Sequence, residues 1–402
     1  MLQSTLLGRT ANPPATGRAP RVHAGERDAE RRRLLVVSHP AVVSANQVVY
    51  RELKRRGWQV EIVVPSAWPS EYSGAVMVPR ALAGMEDSLI ATRVAFAGRP
   101  QRHFYLASCR SLCARVRPDV AFVEAEPFAL AAAQWDRALV ARGVPFGVQC
   151  YENIDRHLPA PVRRLRSRVL RDSAFVAARS ESAAQLARAW GARGEVALAP
   201  PAVPAWERVP ASAERNFTVG YAGRLVKSKG VMALLAAVRR LDAPVELLVI
   251  GDGELKPELE NKPIPGSRVR VLDGLSHDEM PGGYAQIDVL VVPSYTTLSW
   301  KEQFGRVIVE ALSCGVPVVG SDSGEIPWLI ELTGGGLVFP EGDSVMLARA
   351  LAKLRAQPDL RAELASRGRE AVERLFSVPA ATDALERLLV GACERAPRPA
   401  RG

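Results

Sequence analysis

No run of 18 or more apolar residues occurs in the chain, so no membrane-spanning helix is predicted. Residues 1–7 are too short and too interrupted by polar groups for the apolar core of a secretory signal. Cysteine is scarce: Cys109, Cys113, Cys150, Cys314 and Cys393 make an odd count without zinc-site spacing. Cys109 and Cys113 stand four apart on a predicted helix, and two ligands without a second pair do not make a metal site. These absences predict reduced thiols and a cytoplasmic protein. Nucleic-acid motifs are also missing, although the net charge is +10. Residues 1–33 hold seven arginines against three acids, and residues 391–402 hold three against one. Most of the excess charge thus sits in tails rich in proline, alanine, glycine and arginine. Such tails read as solvated and disordered, with no nucleic-acid partner.

What is present is a globular balance, 48% hydrophobic and 24% charged over 402 residues, too long for one ordinary domain. Residues 33–39 form a continuous apolar run, as expected of a buried parallel strand. A loop through Ser44 and Asn46, a helix over 47–56 stopped by Gly57, and a strand over 58–65 complete a Rossmann-type opening. Helices are predicted over 105–117, 129–142, 161–171 and 181–190, and strands over 120–124, 144–149 and 172–180. Glu126 follows the first of these strands, and Tyr151, Glu152 and Asn153 follow the second. Ligands of open parallel sheets bind beyond such carboxyl ends. The helix over 161–171 carries five arginines. They read as a solvated face, or as a peripheral membrane contact, which is the less favoured reading. Residues 191–210 are proline-rich and read as a connection between domains.

The second half repeats the pattern. A strand from 217 leads through Gly223, Arg224, Lys229 and Gly230 into a helix over 231–240. A strand over 245–250 ends in Gly251 and Asp252. A strand over 287–294 precedes the stretch from Glu302 to Glu310, in which two carboxylates flank Phe304, Gly305, Arg306 and an apolar run. The glycine predicts a helix start there. A helix start offers free N–H groups and partial positive charge to an anion. Ionised carboxylates offer several acceptor sites to hydroxyl groups. A ligand with both phosphate and many hydroxyls is a nucleotide sugar. Ser276 and Glu279 have capping-box spacing, Pro281-Gly282-Gly283 interrupts the helix expected after them, and His277 reads as a surface residue. Helices are predicted over 344–356, 359–376 and 380–393.

From about Phe217 to Pro340 these motifs together resemble the retaining glycosyltransferases of family four. The resemblance implies an α/β fold of two Rossmann-like domains facing across a cleft, the GT-B architecture. On this chain it implies a tail at 1–31, a first, acceptor-side domain at 32–200, and a linker at 201–214. The nucleotide-sugar domain follows at 215–379, then a helix at 380–393 that in relatives crosses back, and a tail at 394–402. It further implies sugar transfer, with retention, from a nucleotide-diphosphate donor to an acceptor hydroxyl. A uridine diphosphate sugar is favoured over guanosine diphosphate mannose. Glu302 would bind the donor sugar and Glu310 the ribose. Amides of Phe304, Gly305 and Arg306 would sit by sugar and phosphate, with Gly251 and Asp252 beside the nucleotide. Arg224 and Lys229 would hold the leaving diphosphate.

The acceptor side departs from the family. The first loop has Ser44, Ala45 and Asn46 where relatives have a glycine pair. Glu152 or Asn153 stands where many have a histidine. Glu152 would orient a hydroxyl or cap the following turn. No Asp-x-Asp motif stands in the cleft segments, so no metal and no other cofactor is expected. The competing functions are a sugar-nucleotide epimerase of the same fold and a non-catalytic nucleotide-sugar-binding protein. The high arginine, alanine and proline content fits a GC-rich bacterial source.

Overall fold

The computed structural model describes residues 32–70, 74–203, 206, 216–261 and 264–396. The tail at 1–31, most of the linker at 201–214 and the last six residues lie outside them. Two parallel sheets dominate. The first has seven strands, in the order Glu195–Leu198, Phe175–Ala178, Phe146–Cys150, Val120–Glu124, Arg33–Ser38, Gln59–Pro65, Leu89–Thr92. The second has six, in the order Arg268–Leu272, Glu246–Ile250, Thr218–Ala222, Val289–Val292, Val318–Ser321, Gly336–Phe339. Every pairing within them is parallel. Central strands such as Val120–Glu124 and Thr218–Ala222 are buried at every position, because helices cover both faces of each sheet. This is the two-domain α/β architecture that the sequence predicts.

Several elements differ from expectation. Phe104 and Tyr105 are extended and pair with Val94 and Ala95; the helix begins at Cys109, where the Ser108 hydroxyl accepts from Ser111 N. The serine cap, not the apolar pattern, sets that start. Leu89–Thr92 is an edge strand that the pattern does not reveal, and Glu195–Leu198 is a strand within the proline-rich stretch read as a connection. Pro281, Gly282 and Gly283 do not interrupt a helix but lie inside Met280–Tyr284, since a proline in the first turn forfeits no intrahelical bond.

The last helix is Val378–Arg395, so residues 394 and 395 are helical rather than tail. It packs Leu385, Leu388, Leu389 and Ala392 into the core under the first sheet. Arg56 pairs with Asp383 and Glu386 at 2.6 and 2.7 Å, and Trp58 Nε1 donates to Glu386. Among the described residues no helix is long and apolar enough to cross a membrane.

Candidate active site

The strand order of the second sheet reverses between Thr218–Ala222 and Val289–Val292. The crevice beyond such a reversal is where open sheets bind ligands. The loop leaving the first of these strands ends at Gly230, with φ +69°. A Cβ there would lie 1.8 Å from the Pro293 carbonyl oxygen, so the position admits only glycine. That close approach brings Lys229 against the loop leaving the second strand. Lys229 Nζ donates to Glu302 Oε2 at 2.7 Å and lies 4.6 Å from the centre of the Trp300 ring. Ser294 Oγ donates to the same oxygen at 2.9 Å.

The helix Arg306–Ser313 starts from Gly305 (φ +70°), and no side chain caps it. Its first amides therefore remain open to a ligand. Glu310, one turn in, is buried and accepts from Arg306 Nε and Tyr284 OH, both at 2.9 Å. Phe304 is core, edge-on to Phe376, so only its backbone can serve the site. Arg224 is exposed and makes no ion pair among the described residues, while its carbonyl accepts from Tyr221 OH. Gly251 and Asp252 buttress this loop. A Cβ on Gly251 would lie 1.9 Å from Gly223 O, and the Asp252 carbonyl accepts from Leu225 N at 2.8 Å. The Asp252 carboxylate itself is exposed and accepts from Gly253 N.

On the first-domain side, Asn153 reaches furthest. Its amide donates to the Glu302 carbonyl at 2.8 Å. Glu152 caps the turn: Oε1 accepts from Asn153 N and Ile154 N, and Oε2 from Arg156 Nε. Of the two roles open to Glu152, this geometry is the capping one. Glu126 lies beneath, with Oε1 accepting from Tyr151 N and Glu152 N. The residue keeps some surface, but its Oε2 is fully enclosed and has no hydrogen-bond partner among the described residues. Burial, reinforced by Glu152, outweighs those two bonds and raises its pKa to about 7. Asn46 Nδ2 donates to Pro40 O, and Ser44 is half-buried nearby in the same short 3-10 turn. His277 is half-buried against the Trp206 ring. Of the arginines in the helix Ala160–Asp172, Arg166 stacks on Trp190 and Arg168 pairs with Asp136, while Arg163, Arg164 and Arg171 stay exposed.

A buried polar cluster was not singled out from the sequence. Glu124 accepts from Ser38 Oγ, Tyr50 OH and Arg179 Nη2 at 2.6–2.9 Å, and Arg179 also donates to Gln149 and to Ala199 O. The cluster lines a cavity of about 260 Å³ that Asn46, Tyr151 and Arg306 also border. The signal in the sequence was an arginine closing the apolar strand Phe175–Ala178, which burial makes costly unless a carboxylate waits. The site thus gathers Lys229, Glu302 and Asn153 in one group, and Arg306, Glu310 and Tyr151 near it. Arg224 and Asp252 stand at its exposed rim, and Glu126 beneath the turn that begins at Tyr151.

Residues 203–371 match the family described as glycosyl transferases group 1, and residues 42–202 match a glycosyl transferase 4-like domain. Over 170 residues the chain is 36% identical to a lipopolysaccharide core biosynthesis glycosyltransferase, LpsE, of Rhizobium meliloti, covering 42% of this chain and 48% of that protein. Over 187 residues it is 33% identical to a D-inositol 3-phosphate glycosyltransferase of Corynebacterium jeikeium, covering 43% of each. The chain spans about half the length of the curated relatives it matches. Among solved structures, Anabaena HepE in complex with UDP superposes with a TM-score of 0.67 at 18% identity, over 89% of this chain and 99% of that one. Sucrose-phosphate synthase from Thermosynechococcus elongatus superposes at 0.66, over 89% and 98%.

Proposed function

Since the chain belongs to the glycosyl transferases group 1 family, with a 4-like first half, we propose that it moves a sugar from a nucleotide-diphosphate donor to an acceptor hydroxyl. The observation that carries the reading is the Lys229–Glu302 pair where the second sheet reverses, with Glu310 buried one turn into the helix that follows. The donor's diphosphate lies against Arg224, Lys229 and the amides opening the helix at Arg306. Glu310 takes ribose hydroxyls and Glu302 takes hydroxyls of the sugar. Without donor, Lys229 neutralises Glu302; with donor, the same ammonium faces the diphosphate.

The bond between the anomeric carbon and the diphosphate oxygen breaks as the acceptor oxygen attacks from the same face. The acceptor's proton passes late to the departing phosphate oxygen, so the configuration is retained and no protein nucleophile is needed. Fixed cations stabilise the charge gathering on the leaving group most where water is excluded. The residues named supply that charge without a metal. A uridine diphosphate sugar is the favoured donor, supported by the solved HepE complexes with UDP and UDP-glucose. The acceptor is a hydroxyl-bearing metabolite, or a lipid- or saccharide-linked one. The five cysteines, all free thiols, are compatible with a cytoplasmic setting.

A thermal-shift screen against uridine, guanosine and adenosine diphosphates and their common sugars tests this. A ligand at 100 times its Kd stabilises by about 2.7 kcal/mol. One base should stand out, and Lys229→Ala should abolish its shift. No shift with any nucleotide would overturn the reading.

A further inference from the structure

The turn after the strand Phe146–Cys150 is unusually committed for a surface segment. Glu126 binds the amides of Tyr151 and Glu152 at 2.7 and 3.0 Å. Glu152 binds those of Asn153 and Ile154, and its second oxygen holds Arg156 at 2.7 Å. Two carboxylates are therefore spent on shaping six residues. The donors left over cross to the other domain. Asn153 Nδ2 reaches the Glu302 carbonyl at 2.8 Å, and Arg156 Nη1 reaches the Ser299 carbonyl, also at 2.8 Å. Asn153 is 4% exposed, so its bond is made out of water.

These two carbonyls bracket a short loop, residues 299–302. Its two inward side chains, Trp300 and Glu302, are the pair that grips Lys229. Glu325 N holds the Glu302 carbonyl from the other side at 3.0 Å. Nothing in the second domain replaces the Arg156 contact to Ser299 among the described residues. The loop carrying the sugar-facing carboxylate is thus held from both domains, by Ser294, Thr297 and Glu325 within its own and by Asn153 and Arg156 from the first, whereas no hydrogen bond from a described first-domain residue reaches Arg224, Lys229 or Glu310.

We propose that residues 151–156 form a cross-domain clamp in which Asn153 and Arg156 are positioning residues that place Glu302 and Trp300, making recognition of the donor's sugar, but not of its nucleotide, depend on closure of the cleft. The proposal rests on the transferase reading above. It assigns Asn153 to the donor's loop rather than to the acceptor hydroxyl.

The test uses the full chain and two ligands: the nucleoside diphosphate that wild type binds and its sugar (UDP with UDP-glucose, or GDP with GDP-mannose). Dissociation constants are measured for wild type, Asn153→Leu, Arg156→Met and the donor-retaining Asn153→Gln. Loss of either clamp bond leaves the diphosphate constant within about twofold, while the ratio of sugar-nucleotide to diphosphate constants rises about tenfold, the size of one lost buried hydrogen bond. Turnover falls by a similar factor, and Asn153→Gln recovers part of it. A purely structural role would weaken both ligands together and leave the ratio unchanged, which overturns the clamp. If either single variant fails to fold, the other still decides. A wild type that binds no nucleoside diphosphate defeats the underlying transferase reading, whereas an active wild type with unaltered ratios in the variants defeats the clamp alone.

Discussion

Lys229 and Glu302 share one short bond, and each has little else. Among the described residues the Glu302 carboxylate otherwise keeps only Ser294 Oγ, and the Lys229 ammonium only the face of Trp300. Glu302→Ala or Lys229→Ala should each lower turnover by a factor on the order of 10², the usual size of one preorganised charge contact, read in a steady-state transfer assay. Their stability effects should not add. A single truncation strands a partly buried charge, so the double variant should unfold at higher urea than the worse single one. Glu126 makes a separate prediction. Its pKa rises from 4.5 to about 7, so the folded chain holds a proton that the unfolded chain releases. Stability contributed by its neutral form is complete below pH 4.5 and is lost as pH rises to about 7. The loss amounts to about 3 kcal/mol, at 1.36 per unit. Glu126→Gln should flatten that slope in urea titrations at successive pH values.

At the scale of elements, the turns at Gly230 and Gly251 are held by contacts that no side chain could share. Gly230→Ala would force a Cβ against the Pro293 carbonyl in left-handed backbone, so the turn must move and take Lys229 with it. The variant should lose its thermal shift with nucleoside diphosphate even where its far-ultraviolet spectrum is native. On the first domain, the segment after Arg33–Ser38 is pinned by rings. His39 lies 4.8 Å from Trp68 and 5.1 Å from His103, and Trp68 meets His103 edge-on. Burial, then the neighbouring His103, lowers His39 to about 3, and burial lowers His103 as well. Both stay neutral in the fold while the unfolded chain protonates near 6.5. Stability from this cluster is therefore full above pH 6.5 and is lost as pH falls toward 3. His39→Phe should move the acid unfolding midpoint lower.

The whole molecule is closed by its last helix. Leu385, Leu388 and Leu389 are at most 5% exposed and complete the core beneath the first sheet, although the chain has by then finished the second. Leu389→Ala should cost about 2–5 kcal/mol in urea unfolding, as deletion of a buried leucine does. The first-domain tryptophan Trp58 should report it, because that helix supplies its hydrogen bond through Glu386. The exposed arginines at positions 163, 164 and 171 share their helix with two that are packed inward, so its charge pattern is partly an internal matter.

Local rules were enough for the two-sheet architecture, and they marked the loops that Gly230 and Gly305 shape. Apolar runs of strand length recur between helical patterns, and glycines mark where backbone must pass backbone. They were not enough for short edge strands such as Leu89–Thr92, whose half-exposed side chains carry no clear period. Nor could they show that Arg179 meets Glu124 inside the first domain, across 55 positions of sequence. The partner of Glu302 was equally hidden. Lys229 lies 73 positions earlier and Asn153 lies 149 earlier. Periodicity and turn chemistry act over a few residues and are written in the sequence. Which charges and amides end up within 3 Å depends on how the sheets twist and pack, and only the tertiary structure decides that.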